Sequence, residues 1–436
     1  MLEQKTDSFE NRSKPEDLCK SVTVIIDRVT LPEKCRLNQQ CIYRVPPKIR
    51  EINQAAYTPR IVSIGPFHHG SHERLEPMQQ LKLGYLKSFV ERTELNLEHC
   101  FSKLQEWETN IRLCYGKIIE QKIEERSDEF VKMILIDACF IIEHFIRRYY
   151  LNDEEWRERD PLFLKPWLTH DVTHDLILLE NQLPFFVLKR IFKLATAQAD
   201  YPPFLELTFN YFKFFNSQNL RPDGVTVQHF TDLLRTFHLP PRGRLPERSK
   251  PGVILDHLYS TSELVEAGLE FKVSKNNKCL LDLQYHQGVL TMPCLDITDM
   301  TEILMRNIAA FEQRHYPSMT YITDYLKFLD FLINVEKDVD KLVSEGIITT
   351  LLGDNKEVAK MVNRLCKNLT QVNFSSHYLD LSCKLNAYYE DPVHKYKANL
   401  IHEYFSTPWK IATSSAAILL LLLTLIQTIN SILSLL

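Results

Sequence analysis

FVKMILIDACFIIEHFI, running from Phe130 to Ile146, is apolar on nearly every side when it is wound as a helix. Helices of this kind are buried all round, so we expect this one in the middle of the fold. Asp137, Phe140 and His144 share one stripe of it, while Glu143 lies elsewhere on its surface. Asp137 and His144 form a functional pair in one interpretation. In the other, which we favour, these polar groups bond to neighbouring loops or cap other helices, because buried polar groups are normally hydrogen-bonded.

A second unusual segment, DLILLENQLPFFVL, runs from Asp175 to Leu188. It places Glu180, Asn181 and Gln182 in a row between apolar runs, with Pro184 close behind. Because proline has no N–H to donate, the pattern predicts a kink or a helix break, and the amides are expected to satisfy the freed backbone groups. The alternative is an exposed Glu-Asn-Gln edge that recognises a partner.

Most other segments also have helical spacing. Phe89–Arg126 mixes charges with apolar residues, as an exposed amphipathic helix or helix pair does. Asp299 and Thr320 are the predicted N-caps of two later helices. Further helices are predicted at Met300–Gln313, Tyr321–Val343, Val358–Cys366 and Leu379–Leu385.

Extended structure is predicted only for Glu270–Ile297, where short alternating stretches flank Asn276-Asn277 and His286-Gln287-Gly288, as in one or two hairpins. The predicted fold class is therefore mainly α. It comprises a helical globular domain with a small antiparallel β element, plus one C-terminal transmembrane helix.

Composition divides the chain into three parts. Residues 1–40 are a polar N-terminal arm, residues 41–405 a mainly helical domain, and residues 411–436 a membrane anchor. The loop near 240–252 contains PRGRLPERSKPG and is expected to be an exposed insert, because its Pro, Gly and basic residues disfavour a packed element. It is a solvated linker in the favoured interpretation and a contact to anionic lipid in the other.

Ile411–Leu436 carries no charged residue and includes ILLLLLTLI, the densest apolar run of the chain. Since about 20 apolar residues cross a bilayer, this segment is predicted to be a transmembrane helix that anchors the protein by its tail. The start of the chain lacks the apolar core of a secretory signal. Lys395, Lys397 and Lys410 lie upstream, which favours a cytosolic N-terminal domain on the plasma membrane or an endomembrane.

The anchor also carries a polar stripe. Thr424, Gln427, Thr428 and Ser431 are spaced so that they share one helix face, which is suited to association of helices in lipid. A homo-oligomer formed through the anchor is one interpretation. The other is that Gln427–Ser431 lies near the far interface and is hydrated.

The overall composition is that of a globular protein, with 44% hydrophobic and 25% charged residues. A net charge of −4 gives no reason to expect nucleic acid as a partner. The chain has 11 glycines and neither a GxGxxG nor a P-loop pattern, so no nucleotide cofactor is expected. Its 10 cysteines include no Cys-x-x-Cys pair and are expected to be reduced and mostly buried. Asn11, Asn368 and Asn373 each begin a triplet that is glycosylated only in a lumenal chain.

Histidines cluster in two places. His68, His69 and His72 lie in the turn SIGPFHHGSH, and three imidazoles near one turn are a potential set of transition-metal ligands. His170 and His174 stand four residues apart, the spacing of a metal pair on one helix face. Both signals are weak, because adjacent loop histidines often point apart and no HExxH arrangement is present. We therefore assign neither a metal nor a catalytic residue.

Seven segments carry a resemblance to a known family. They are IYRVPPKIREIN, YTPRIVSIGPFHHG, DACFIIEHF, DLILLENQLPFFVL, EAGLEFK, LLDLQYHQGVLTMPCLDITDMTEILMRNIAAFEQ and YITDYLKFLDFLI, in this order. Their order resembles that of the plant domain of unknown function 247 family, also called uncharacterised protein family 0481. The resemblance runs from about Ile42 to Lys367, and the final PWK with its apolar tail is similar to the family's usual ending.

The resemblance implies that this chain is a plant membrane-associated protein without an established enzymatic activity. Some members of the family are linked to pollen and stigma self-recognition in grasses. The resemblance therefore implies partner binding or signalling. Two sets of partner-binding candidates follow from the family's pattern. The first lies in the GPxHHG turn and comprises Gly65, Pro66, His68, His69 and Gly70, and the second comprises Glu180, Asn181, Gln182 and Pro184. His72, His170 and His174 lie outside the pattern.

Two functions stay open. The first is a non-enzymatic, single-pass plant membrane protein that presents a helical domain for protein–protein recognition or signalling, with unidentified protein partners. The second is a metal-dependent hydrolase that uses His68 and His69 with an acid such as Asp137, Glu143 or Asp175. It requires these side chains to converge in one pocket around a metal ion.

Overall fold

The computed structural model describes residues 39–70, 75–116, 127–150, 160–197, 201–241, 243–275, 278–400, 404 and 408–433. The chain divides into two units, and the second, Cys41–Leu436, contains every element named below. Helix accounts for 60% of the structure, which confirms the mainly α class.

The first half of the domain holds eight α-helices within the described residues. A 3₁₀ turn, Gln54–Tyr57, follows the first of them, and a second, Lys213–Phe215, follows the seventh. The helices are α1 (Pro47–Arg50), α2 (Glu76–Thr93), α3 (Leu97–Tyr115), α4 (Ser127–Tyr149), α5 (Pro166–Ile177), α6 (Phe185–Ala195), α7 (Phe204–Tyr211) and α8 (Phe230–His238).

Helix α4 contains the apolar stretch Phe130–Ile146 and forms the centre of this half. Nearly all of its side chains are buried, and Lys132 is the exposed exception within that stretch. Helices α2, α3, α6 and α7 pack against it from different sides. The expectation of a central buried helix is confirmed, and the all-round apolar pattern is the reason, because each flank of α4 needs its own apolar cover.

The second half contains the strands and the remaining helices. They are α9 (Thr261–Ala267), β1 (Glu270–Val273), β2 (Gln284–His286), β3 (Val289–Met292), β4 (Leu295–Ile297), α10 (Asp299–His315), α11 (Tyr321–Leu332), α12 (Glu336–Ser344), β5 (Ile348–Thr350), α13 (Asn355–Leu365), α14 (Ser376–Glu390), α15 (Pro392–Leu400) and α16 (Pro408–Leu433).

The strands form two small sheets. Strands β2 and β3 are an antiparallel hairpin across the turn Gln287-Gly288, as the sequence predicts. Strand β1 adds to β3 in parallel, and β4 pairs with β5 in parallel. The three-stranded sheet is therefore mixed and the two-stranded sheet is parallel, and the local hairpin pattern does not reveal either parallel pair. Asn276 and Asn277, the other predicted turn, lie outside the described residues.

Several helix ends differ from their predicted positions. Phe89–Arg126 divides into the end of α2 and the whole of α3, as the helix-pair expectation allows, and its last part lies outside the described residues. Thr320 is the N-cap of α11 as predicted, whereas the N-cap of α10 is Thr298 and Asp299 is its first helical residue. Tyr321–Val343 is not one helix, because the chain is extended at Ile333 and again at Val335.

The loop near 240–252 is largely exposed in its described residues, but one basic side chain is anchored. Arg248 forms an ion pair with the buried carboxylate of Asp324, and one of its nitrogens donates to Asn373 Oδ1 at 2.7 Å. A short bridge to Ser375 holds the backbone at the same point. The loop is therefore fixed to α11 and to the start of α14 rather than being a solvated linker throughout.

Helix α16 differs from all the others described. The most apolar 18-residue window of its segment Trp409–Leu433 has a mean hydropathy of 2.2, and none of that window is buried. This helix is long and apolar enough to cross a membrane.

Candidate functional site at the 65–70 turn

The turn predicted around Gly65–Gly70 is hydrogen-bonded to helix α4. The Gly65 N–H donates to Asp137 Oδ2 at 2.8 Å. Gly65 has a positive φ of 70°, and a Cβ placed on it would lie 2.6 Å from the backbone oxygen of Gln182. Only glycine combines this conformation with so close an approach, so the first glycine of the turn is required by packing against the 180–184 segment.

Asp137 is neutralised by a lysine that the sequence patterns do not single out. Lys82, on α2, donates to Asp137 Oδ1, and each side chain is 1% exposed. The same ammonium group donates to the backbone oxygen of Ser63 at 2.9 Å. The lysine thus connects α2, α4 and the segment before the turn, and it compensates a charge that would otherwise be costly to bury.

Glu180 receives donors from three directions. Its carboxylate accepts the Val45 N–H at 2.6 Å and pairs with Arg50, while Arg44 Nη1 lies 3.5 Å from Oε2. His68 Nε2 also lies 3.5 Å from that oxygen. The Glu180 side chain is fully buried, so it fastens the 44–50 segment and the histidine turn to each other.

Asn181 and Gln182 use their amides on backbone groups. Asn181 accepts the Ile64 N–H at 2.7 Å and donates to the carbonyls of Val62 and Asp175. Gln182 donates to the carbonyls of Leu176 and Leu178 and accepts the Phe230 N–H at 2.9 Å; these are the contacts of its side chain. The expectation that the amides satisfy freed backbone groups is confirmed.

The alternative of an exposed Glu-Asn-Gln edge is not met. Glu180, Asn181 and Gln182 are all buried, because their polar atoms lie against the backbone of the 60–65 segment and of α5 and α8. Pro184 is also buried, and it is the residue before α6, so the predicted helix break lies between Ile177 and Phe185. As they stand, these four residues offer no surface to a partner.

Asp175 has a comparable structural role. Its carboxylate accepts the N–H groups of Arg60, Ile61 and Val62 at 2.7 to 2.9 Å, and His174 Nδ1 lies 2.9 Å from Oδ1. His174 is buried, whereas the side chain of His170 is 55% exposed. The two histidines of the predicted pair therefore occupy different environments.

Glu143 lies in an ion-pair network at the other end of α4. It pairs with Arg92 and with Arg147, and Arg147 Nη1 reaches Asp160 Oδ2 at 2.8 Å. Tyr85 donates its hydroxyl to the Asp160 carboxylate, and both burial and that carboxylate raise the pKa of Tyr85.

His144 does not pair with Asp137. Its Nε2 lies 3.2 Å from the Tyr211 hydroxyl, and its ring is stacked on those of Phe140 and Phe163. Desolvation lowers the pKa of His144 to about 3, which keeps the imidazole neutral in this aromatic cluster. The structural interpretation of the α4 polar residues is confirmed.

The arrangement needed for a metal-dependent hydrolase is not formed by the part of the chain that the structure describes. Asp137, Glu143 and Asp175 each have the structural partners given above, and no three His, Cys, Asp or Glu side chains come together there in a way that fits a metal ion. His68 is buried against Glu180, while its neighbour His69 is exposed. His72 lies outside the described residues.

The outer part of the turn remains accessible to solvent. His69 and Gly70 are exposed and Pro66 is half-buried. Beside them the Arg44 guanidinium lies 4.6 Å from the centre of the Phe67 ring, with its side chain 49% exposed. The turn and the neighbouring 44–50 segment therefore present an exposed imidazole and an exposed guanidinium side by side.

Residues 42–423 match the model of a family described as plant protein of unknown function, domain of unknown function 247. The chain belongs to this family. The resemblance carried by the seven segments is thereby confirmed, and the family match includes the turn at 65–70, the segment at 180–184 and most of the apolar part of α16.

Two curated relatives come from Arabidopsis thaliana. The UPF0481 protein At3g47200 is 27% identical over 440 aligned positions, which cover 93% of this chain and 89% of the relative. The putative UPF0481 protein At3g02645 is 23% identical, and the match covers 90% of each chain. No solved structure matches the chain.

Proposed function

We propose that this protein is a non-enzymatic, single-pass membrane protein that presents its helical domain to protein partners for recognition or signalling. The carrying observation is helix α16, whose apolar side chains lie exposed from Trp409 to Leu433. Exposure of so long an apolar helix is unfavourable in water and favourable in a bilayer. The domain lies in the cytosol and faces the plasma membrane or an endomembrane.

Non-enzymatic binding is supported by how the candidate acids are used. Asp137, Glu143 and Asp175 all bind backbone groups or basic side chains of the domain itself. Within the family's turn pattern, His69 and Gly70 are the exposed residues. A loop fixed by several buried contacts needs little further ordering when it binds, so less conformational entropy opposes association.

Membrane anchoring is tested in plant cells with full-length protein. Leu421→Arg combined with Leu425→Arg is expected to move the protein from the carbonate-resistant membrane pellet to the soluble fraction, because each central arginine costs about 2.5–3.5 kcal/mol of insertion free energy. Leu421→Val with Leu425→Val is the matched control and should stay in the pellet. Equal behaviour of the two double variants would contradict the anchor.

The orientation of the domain relative to the membrane is tested by glycosylation at Asn368. Its side chain is exposed and its amide donates to the Lys48 carbonyl, whereas Asn373 is buried against Arg248. Asn11 lies outside the described residues. A cytosolic domain leaves Asn368 without an endoglycosidase-sensitive sugar and open to protease in intact microsomes. A sugar on Asn368 together with protease protection would reverse the orientation.

Partner binding is tested by cross-linking in the same cells. His69→Ala is expected to weaken recovery of cross-linked proteins, while His257→Ala, at an exposed histidine outside the turn, serves as the matched control. Unchanged recovery with His69→Ala would move the recognition surface away from the turn.

A further inference from the structure

A cavity of about 400 Å³ lies away from the 65–70 turn. Its walls come from the 3₁₀ turn Lys213–Phe215, the last residue of α8, the chain after β1 and the junction of β4 with α10. Small-molecule sites in proteins commonly enclose about 300–1,000 Å³, so this cavity has the size of a small organic ligand.

Part of the cavity lining is apolar. Phe215, Leu280, Met300, Leu304 and Met305 contribute to it, and all but Phe215 are buried. Methionine and phenylalanine side chains adapt well to a flat or irregular apolar ligand. Much of the remaining lining is polar or charged.

His238 is the most informative residue of the wall. It is 7% exposed, and neither ring nitrogen has a hydrogen-bond partner among the described residues. Burial lowers the pKa of His238 to about 4, so the ring is neutral and holds one N–H donor and one lone pair. Native folds usually satisfy buried polar atoms, so two ring nitrogens without a partner among the described residues, beside a cavity, are available to a bound ligand.

The charged residues of the lining favour an anion. Lys275 and Lys278 both line the cavity, and neither forms an ion pair with a described residue. The backbone N–H groups at the start of α10 add the partial positive charge of a helix N-terminus, which the acidic Asp299 and Glu302 of its first turn partly offset. Asp296 supplies the opposing charge on this wall, and its carboxylate accepts the Thr349 hydroxyl.

We propose that this cavity binds a small amphipathic organic acid. The apolar body of the ligand packs against Met300, Leu304 and Met305, and its carboxylate lies between Lys275 and Lys278. His238 makes a hydrogen bond to a polar atom of the same molecule. This site is separate from the proposed recognition turn and does not depend on the function proposed above.

The test uses full-length protein in lipid nanodiscs and equilibrium dialysis, with empty nanodiscs subtracted. The probes are 2-naphthoate and its uncharged amide. Saturable binding of 2-naphthoate is expected, with at least a tenfold loss of affinity in Lys275→Gln/Lys278→Gln, equivalent to about 1.4 kcal/mol. The amide should bind that double variant and the wild type equally. Lys360→Gln/Lys384→Gln changes two exposed lysines outside the cavity and is the matched control.

Leu304→Trp fills the cavity and should abolish binding of both probes, and the melting temperature shows whether each variant is folded. If Leu304→Trp unfolds the protein, the lysine double variant and its control decide the question. The proposal is overturned if 2-naphthoate shows no saturable binding up to about 1 mM. It is also overturned if the cavity lysine variant binds 2-naphthoate as tightly as the control variant.

Discussion

Lys82 on α2 forms an ion pair with Asp137 on α4 in the interior of the domain, and almost nothing of either side chain is exposed. Asp137 in turn accepts the Gly65 N–H, so one buried pair connects two core helices to the family's turn. Because the charges are desolvated, each depends on the other far more than two surface charges would. Loss of one partner therefore affects both the core and the turn.

Lys82→Met is expected to lower the free energy of unfolding by about 3–5 kcal/mol, since it leaves the Asp137 charge buried without its cation. Lys87→Met, at an exposed lysine of the same helix, should change it by less than about 0.5 kcal/mol. Urea unfolding of the full-length protein in detergent micelles, followed by circular dichroism, measures both.

The single variant Asp137→Asn and the double variant Lys82→Met/Asp137→Asn complete a double-mutant cycle with Lys82→Met. The double variant is the decisive member. It removes both charges, so its loss of stability should be clearly smaller than the sum of the two single losses. Additive losses would show that Lys82 and Asp137 act independently, contrary to the contact between them.

Gly65 and Gly70 offer a comparison within one turn. Both have positive φ, but a Cβ at Gly65 meets the Gln182 carbonyl at 2.6 Å, whereas a Cβ at Gly70 meets no atom within 4 Å. Gly70→Ala should therefore cost about 1–2 kcal/mol of stability from backbone strain alone. Gly65→Ala should cost about 1–3 kcal/mol more, because the packed carbonyl must move. Thermal unfolding of both variants measures the difference, and equal losses would contradict the close approach.

Local patterns predict much of this fold because they depend on which faces of a helix are apolar. The central position of α4, the break before Pro184 and the exposed apolar helix α16 all follow from residues next to one another in the chain. The antiparallel pair β2–β3 follows for the same reason, since its turn residues lie between the two strands.

Contacts between distant parts of the chain are not visible in such patterns. Asp175 bonds to the backbone 113 to 115 residues earlier, and nothing near Asp175 specifies that segment. Lys82 lies in an amphipathic helix where a lysine is normally solvated, so its burial against Asp137 depends on tertiary packing. The parallel pairing of β1 with β3 likewise depends on how intervening segments pack.

His229 links stability to pH. Its Nε2 lies 3.0 Å from the Cys41 carbonyl oxygen, and desolvation lowers the pKa of His229 to about 3. The unfolded chain binds a proton at this histidine near pH 6.5, whereas the folded chain does not, so stability falls as pH drops from about 6.5 towards 3. One such group contributes up to about 1.4 kcal/mol per pH unit.

His229→Gln should therefore reduce the slope of unfolding free energy against pH by about one proton between pH 6 and 4.5, as the linkage relation requires. Urea unfolding at several pH values measures the slope, which is independent of any overall loss of stability at neutral pH. Identical slopes for the variant and the wild type would show that His229 takes up its proton equally in both states.

The polar stripe of α16 leads to a prediction about self-association. The hydroxyls of Thr424 and Thr428 donate to the carbonyls of Leu420 and Thr424 in their own helix, which leaves the Gln427 amide as the better group for a bond to a second helix. Interhelical bonds of this kind contribute about 0.6–2 kcal/mol in lipid. Gln427→Leu should therefore reduce dimerisation of the full-length protein about 3- to 30-fold in bilayers, as measured by energy transfer between labelled copies.

Thr424→Val is the control and should have a smaller effect, because its hydroxyl is already bonded within the helix. Equal dimerisation of Gln427→Leu and wild type would assign Gln427 to the hydrated interface instead.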